Sequence, residues 1–333
     1  MISPRSTWEL VFHLLKYTLA SPATSLQGLK AISFVINHQH VSTENFGACV
    51  EFVGAIARVE GVSQDAIIKC CELLAALSSQ VNRVKNLEGE ITPDDEKDAL
   101  MFYWIPVLQR LATLSRDKRW DVRNKAITMM QRALLLDHMT AISADGWHIL
   151  FDQVIFPLVD EVWKAEDANL PKDNIEELRI RASTILCKTF LQYLPKIVQS
   201  GDFNTLWLKI LRYIELYMKE KKGVLAEATA ESLKNILLVM ITSEILRPLA
   251  PGQQEPEDPS QALWVLTWQT IDRFCPGLDK EIAVKRPQDK PAITPEIGEP
   301  SSESTTTEQN PPPTANEAST VNTSTDADSA SLV

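Results

Sequence analysis

The chain has 333 residues, 44% of them hydrophobic, with a formal net charge of −11 and a pI near 5.1. That acidic balance argues against a broad basic footprint for nucleic acid. The length corresponds to about two domains, the 11 glycines favour helix over sheet, and no apolar run approaches the ~20 residues of a membrane span.

The first segment, Trp8 to Leu19, is apolar but broken on a helical period by Glu9, His13 and Lys16. No small-residue cleavage site follows it, so it reads as an amphipathic helix and not as a signal peptide. Periodicity predicts eleven helical segments before the end of the chain: 5–20, 25–37, 43–60, 64–86, 93–115, 118–138, 144–166, 173–199, 202–221, 224–246 and 260–275. Turn residues separate them: Ser21-Pro22, Gly61 with Ser63, Pro171, Gly201-Asp202 and Gly223. Thr92-Pro93-Asp94-Asp95 reads as a helix start, with Thr92 as N-cap, Pro93 in the first helical position and two carboxylates toward the positive end of the dipole. In the sixth segment Val122, Ala126, Met130, Ala133 and Leu134 form one apolar stripe. Phe203, Leu206, Trp207, Ile210, Ile214 and Tyr217 form another, with Lys209, Arg212 and Glu215 elsewhere on that helix. Ala226, Ala230, Leu233, Leu237 and Met240 repeat the pattern on the next. A loop rich in Pro, Gln and Glu is predicted from Pro248 to Pro259.

Serial amphipathic helices with short turns and no strand pattern point to an all-α fold. We expect a HEAT/armadillo-like α-solenoid of stacked helix pairs over residues 1–276, with a compact bundle as the alternative. From Pro276 onward there is no aromatic residue, and from Pro287 the chain is mostly Pro, Ser, Thr, Glu and Asn. Such a composition cannot offset its ordering entropy, so 277–333 is expected to be a disordered acidic tail.

Asp117, Val122 and Arg123 have the spacing of a HEAT-type repeat, which predicts a structural role: hydrogen bonds along the stack from Asp117 and Arg123, and Val122 inside. Trp264 and Trp268 lie one turn apart on the last predicted helix, where a Trp left partly exposed would be a candidate partner surface. Lys219, Lys221 and Lys222 form a short basic run at a helix end, placed to complement the dipole or to touch an anionic membrane. His13, His38, His40, His138 and His148 lack the converging partners of a metal or base site, and no nucleotide or nucleophile-elbow motif occurs. The carboxylate pairs Asp94-Asp95 and Glu176-Glu177 fall at predicted helix starts. Cys49, Cys70, Cys71, Cys187 and Cys275 form no C-x-x-C pair and read as reduced core thiols of a cytosolic protein. No catalytic residue, cofactor or metal site is therefore expected.

Seven stretches in order resemble one family. They are Trp8–Tyr17 (WELVFHLLKY), Phe46–Ala55 (FGACVEFVGA), Val122–Leu135 (VRNKAITMMQRALL), Val154–Leu158 (VIFPL), Leu178–Lys188 (LRIRASTILCK), Glu231–Met240 (ESLKNILLVM) and Ala262–Asp272 (ALWVLTWQTID). The series resembles the C-terminal homology-downstream region of the large Golgi brefeldin A-resistance Arf guanine nucleotide exchange factors. The Pro/Ser-rich end is similar too. The resemblance implies a cytosolic protein peripherally associated with cis-Golgi and ER–Golgi membranes, where Arf activation recruits the COPI coat. The glutamate finger of the exchange reaction belongs to a domain upstream in the family, so no catalytic residue carries over. What the resemblance implies for this chain is regulation and scaffolding, with the upstream domains and Arf-pathway or Golgi-associated proteins as partners. A matching helix directly after Met1 implies a fragment or a truncated gene model. A free-standing HEAT-type adaptor is the alternative.

Overall fold

The structure, a computed structural model, describes residues 4–85, 92–135, 137–164, 172–219, 223–250 and 252–282. The chain divides into two compact units, 1–289 and 290–333. The predicted tail lies outside the described residues from position 283, as do Lys221 and Lys222 of the basic run.

All eleven predicted segments are helical. The helices are α1 (Pro4–Lys16), α2 (Pro22–Asn37), α3 (Phe46–Ala57), α4 (Gln64–Lys85), α5 (Pro93–Ala99), α6 (Ile105–Leu114), α7 (Trp120–Leu134), α8 (Ala144–Leu150), α9 (Phe156–Lys164), α10 (Lys172–Ile197), α11 (Phe203–Tyr217), α12 (Val224–Thr242), α13 (Pro259–Ile271) and α14 (Leu278–Glu281). Their starts are chemically marked. Ser21, Thr92, Ser143 and Asp258 each accept a backbone N–H with the side chain, which satisfies donors that the helix leaves orphaned. Ser21-Pro22 thus opens α2 and does not merely close α1. α1 itself ends in a 3₁₀ turn, Tyr17–Ala20.

Two predicted helices are interrupted. Within 93–115 a π segment, Leu100–Trp104, separates α5 from α6, and within 144–166 another, Phe151–Ile155, separates α8 from α9. Each stands just before a proline, Pro106 or Pro157. Proline has no N–H and its ring crowds the carbonyl four residues back, so the regular ladder cannot continue. A wider turn accommodates it.

The described residues form an all-α solenoid of helix pairs. One layer holds α1, α3, α6, α9, α11 and α13, and the other α2, α4, α7, α10 and α12. Neighbours in a layer pack on each other, as do the helices of each pair, with α1 meeting α2 through its 3₁₀ turn, α6 meeting the π turn before α9, and α11 meeting α9 through Tyr217 and the Val159 carbonyl. The three predicted stripes face the core, with Ala230 of the α12 stripe only half-buried. Val122, Ala126, Met130, Ala133 and Leu134 of α7 are buried, and so are Phe203, Leu206, Trp207, Ile210, Ile214 and Tyr217 of α11. Hydrogen bonds join successive pairs at separations such as 59 residues for Tyr193 to the Leu134 carbonyl and 60 for Trp207 to Thr267. The helical part extends past the predicted boundary at 276. Gly277, at φ +88°, turns the chain so that Leu278 of α14 is buried, and Lys234 on α12 meets Glu281 at 2.6 Å.

Candidate functional site

The turn into α7 gathers the predicted Asp117, Val122 and Arg123. Val122 is fully buried and Arg123 nearly so, its Nε donating to the Asp117 carbonyl. The Asp117 carboxylate turns to a residue that the spacing did not single out. Arg119 donates Nε and Nη2 to its two oxygens, each at 2.7 Å, and its backbone N–H at 2.9 Å. Arg119 Nη1 then reaches the Val62 carbonyl at 3.0 Å, 57 residues back in the preceding pair. Burial pushes the Asp117 carboxyl up, but the Arg119 bonds outweigh it and hold the carboxyl below its ordinary value. The fork of a guanidinium, bidentate to one partner with a donor to spare, suits this bridging role.

The candidate partner surface at Trp264 and Trp268 is corrected. Both are buried, at 3% and 4% exposure, and their rings meet edge-on at 5.6 Å. The prediction took α13 as an uncovered last helix, but its apolar side packs on α11, where Thr267 accepts from Trp207 Nε1 at 2.9 Å, and α14 follows it with Leu278 in the same core.

Polar links cross the first layer from pair to pair. Arg110 on α6 donates to both Glu51 oxygens on α3, at 2.6 and 2.7 Å. Arg116 meets Glu161 on α9 at 2.9 Å, and Lys209 on α11 meets Asp152 at 2.6 Å. Tyr213 donates to Asp160 at 3.1 Å while its ring stacks on Phe156. Burial and the Asp160 carboxylate push the Tyr213 phenol up to about 12. Shallow recesses lie between these helices: Phe12, Lys16, Ala48 and Phe52 line one, Arg110, Arg116 and Glu161 a second, and Arg212 and Lys219 a third. Cations and carboxylates alternate along this face and largely answer one another. It offers recognition of shape and mixed charge, not a single-sign field.

Among the described residues no group of three or more His, Cys, Asp or Glu could hold a metal ion, and no helix is long and apolar enough to cross a membrane. The Cys49, Cys70, Cys71 and Cys187 thiols are buried, and burial pushes each up to about 12. His38 and His40 sit beside the Phe34 ring on an exposed turn, with Gln39 at φ +59° between them. Residues missed by the sequence reading include the exposed Leu10, Leu14 and Tyr17. Their signal was a second apolar stripe on α1, at four- and three-residue spacing.

A family model described as GBF1-like, tetratrico peptide repeat region, matches residues 104–278, more than half of the chain. The chain belongs to the GBF1-like family. The match runs from the end of the first π segment to the start of α14. It is thus a GBF1-like helical region, with the Asp117–Arg119 ion pair and the Arg116–Glu161, Lys209–Asp152 and Tyr213–Asp160 links inside the matched span. The description names tetratricopeptide repeats where the Asp117–Arg123 spacing points to HEAT-type ones. Both are stacked helix pairs, and separations of 57–60 residues between linked pairs exceed the ~34 of a tetratricopeptide unit and the ~40–47 of a HEAT unit alike.

Relatives extend the likeness. The chain is 30% identical over 298 residues to the ARF guanine-nucleotide exchange factor GNOM of Arabidopsis thaliana, covering 84% of this chain and 20% of GNOM. It is 32% identical over 186 residues to the Golgi-specific brefeldin A-resistance guanine nucleotide exchange factor 1 homolog of Caenorhabditis elegans, covering 56% of this chain and 9% of that protein. A weaker likeness, 25% over 258 residues, is to the Protein MON2 homolog of Caenorhabditis briggsae, covering 69% and 15%. The chain spans about a fifth of the length of the Arabidopsis exchange factors it matches. No solved structure matches it.

Proposed function

We propose that this chain is a regulatory and scaffolding part of a large Arf guanine nucleotide exchange factor acting in Golgi vesicle-mediated transport, with no exchange activity of its own. The observation that carries the reading is the likeness to proteins named as Arf exchange factors, over most of this chain and only a fifth of theirs. The fold suits the role. A stack of helix pairs presents side chains along an extended face and positions what is attached to it, and the bonds between pairs keep that face in register. In this reading the chain works at the cytosolic face of cis-Golgi and ER–Golgi membranes, in peripheral contact with them. Its partners are the remaining domains of the exchange factor and Arf-pathway proteins, and its output is Arf activation for COPI recruitment.

The test is a nucleotide-release assay. Arf loaded with fluorescent GDP is mixed with the purified chain, and the off-rate is expected to stay at its spontaneous value. A concentration-dependent acceleration overturns the claim that the chain lacks exchange activity. Expression of the chain in cells depleted of the exchange factor's own copy of this region is expected to restore COPI on Golgi membranes when the rest of the factor is present. Failure to do so removes the regulatory role.

A further inference from the structure

Repeat stacks end in helices whose outer side is polar, because that side faces water. The first pair here breaks that rule. Trp8, Phe12, Leu15 and Leu19 form the inward stripe of α1 and its 3₁₀ turn, with Phe12 edge-on to Phe52 of α3. On the opposite side Leu10, Leu14 and Tyr17 form a second stripe, exposed to 60%, 59% and 68%. At 100° per residue the two stripes lie about half a turn apart. α2 adds Leu26 and Phe34, also exposed, with Lys30 one turn from each. Of the ten large hydrophobic residues exposed among the described residues, five lie in this first pair, while α12 carries Val224, Leu238 and Val239 and α13 carries Leu266. A helix apolar on both sides is built to be covered on both sides, as α3 is by α1 and α6.

We propose that the outward side of α1 and α2 is a docking surface for a further antiparallel helix pair from the rest of the exchange-factor polypeptide. It would stack on α1–α2 as α1–α2 stack on α3–α4. Such a pair presents an apolar stripe to Leu10, Leu14 and Tyr17, and a carboxylate opposite Lys30. The occupant is argued from two observations. Beside the stripe stands Lys30 and not the cluster of about 4–8 bases that marks an anionic-membrane surface, which suits a helix surface better. The matched relatives are about five times the matched length, which leaves ample chain to supply the pair. The inference rests on the reading of this chain as part of an exchange factor.

The test places the photo-crosslinking residue p-benzoylphenylalanine at position 14 of the chain expressed in cells, followed by mass spectrometry of the adducts. An adduct to a peptide of the exchange-factor polypeptide outside residues 1–333 is expected. It should disappear in a chain that also carries Leu10→Glu and Tyr17→Glu, two changes at exposed positions that leave the thermal melt unaltered. An adduct to α1 of a second copy, or none at all, overturns this docking surface and leaves the exchange-factor reading standing. An adduct solely to a protein unconnected with Arf exchange overturns both. An adduct that survives the two glutamates shows that the stripe does not carry the contact, and overturns the inference too.

Discussion

Gln109 on α6 donates its side-chain amide to the backbone carbonyl of Gln153 at 3.3 Å. That oxygen is the one Pro157, four residues on, cannot serve, because proline has no N–H to give. The neighbouring pair thus supplies the donor that the proline removes, and a local fault in one helix becomes a link between two. Gln109→Ala is expected to lower stability by about 0.5–1.5 kcal/mol, the usual net worth of such a bond. In a double-mutant cycle with Pro157→Ala the loss should shrink, since alanine restores a donor within the helix. Equal losses in the two backgrounds would show that the bond has no part in relieving the proline.

Trp207 is fully buried, stacks on Phe190 at 5.3 Å and donates to Thr267. Trp207→Ala should cost ~3–5 kcal/mol in denaturant melts. Trp207→Phe should cost less, because it keeps much of the ring and mainly leaves the Thr267 hydroxyl without its donor. A loss near zero for the alanine variant would contradict the packing of α11 between its neighbours.

Gly28 reverses an ordinary rule. Replacing a mid-helix glycine by alanine normally stabilises by roughly 0.5–1 kcal/mol. Here an added Cβ would stand 2.3 Å from Thr18 Oγ1 and 3.0 Å from the Phe52 ring. The hydroxyl is held by the Leu15 carbonyl at 2.6 Å, so it cannot simply swing aside. Gly28→Ala is expected to destabilise by about 1–3 kcal/mol, and Thr18→Ala in the same chain should recover part of it. Stabilisation by Gly28→Ala alone would refute the close approach of α2 to the end of α1.

Asp117 gives the stack an acid-sensitive contact. Its carboxyl lies below its ordinary value in the folded chain, because the Arg119 bonds outweigh the opposing effect of burial. A depressed carboxyl contributes stability that is fully present above its unfolded value, ~3.9, and is lost as pH falls through the folded value. Denaturant melts taken downward from about pH 5 should show a steeper loss for the wild-type chain than for Asp117→Asn. Parallel curves would remove Asp117 from the acid response.

Thiol chemistry reads the core directly. With burial pushing Cys49, Cys70, Cys71 and Cys187 up to about 12, a disulfide reagent near neutral pH should find little thiolate at these sites. Cys275, half-buried, should react first and the remaining four only after denaturant is added. Early reaction at Cys70 or Cys71 would mean that α4 is not seated as described.

The helices were legible because each stripe is local. Val122 to Leu134 and Phe203 to Tyr217 announce their buried sides by spacing alone, and Thr92-Pro93 announces a helix start by its chemistry. The π segments were less so: Pro106 and Pro157 were visible, but that the chain would widen its turn and continue depends on neighbours such as Gln109. Arg119 was missed because its second partner, the Val62 carbonyl, lies 57 residues away, and a side chain's long-range partner leaves no trace in local spacing.

The sequence by itself determined the all-α class, the order of the helical segments as far as α13, the buried side of those with a clear stripe and the resemblance to the exchange-factor family. Those properties follow from periodicity, caps and ordered motifs, each decided within a few turns of chain. Only the tertiary structure decided which apolar sides found a neighbour. Trp264 and Trp268 resemble Leu10, Leu14 and Tyr17 in spacing and hydrophobicity. The first two are covered by packing against α11 and the core that α14 joins, while the other three face outward. Burial is a property of what packs against a side chain, and that is fixed by helices distant in the chain.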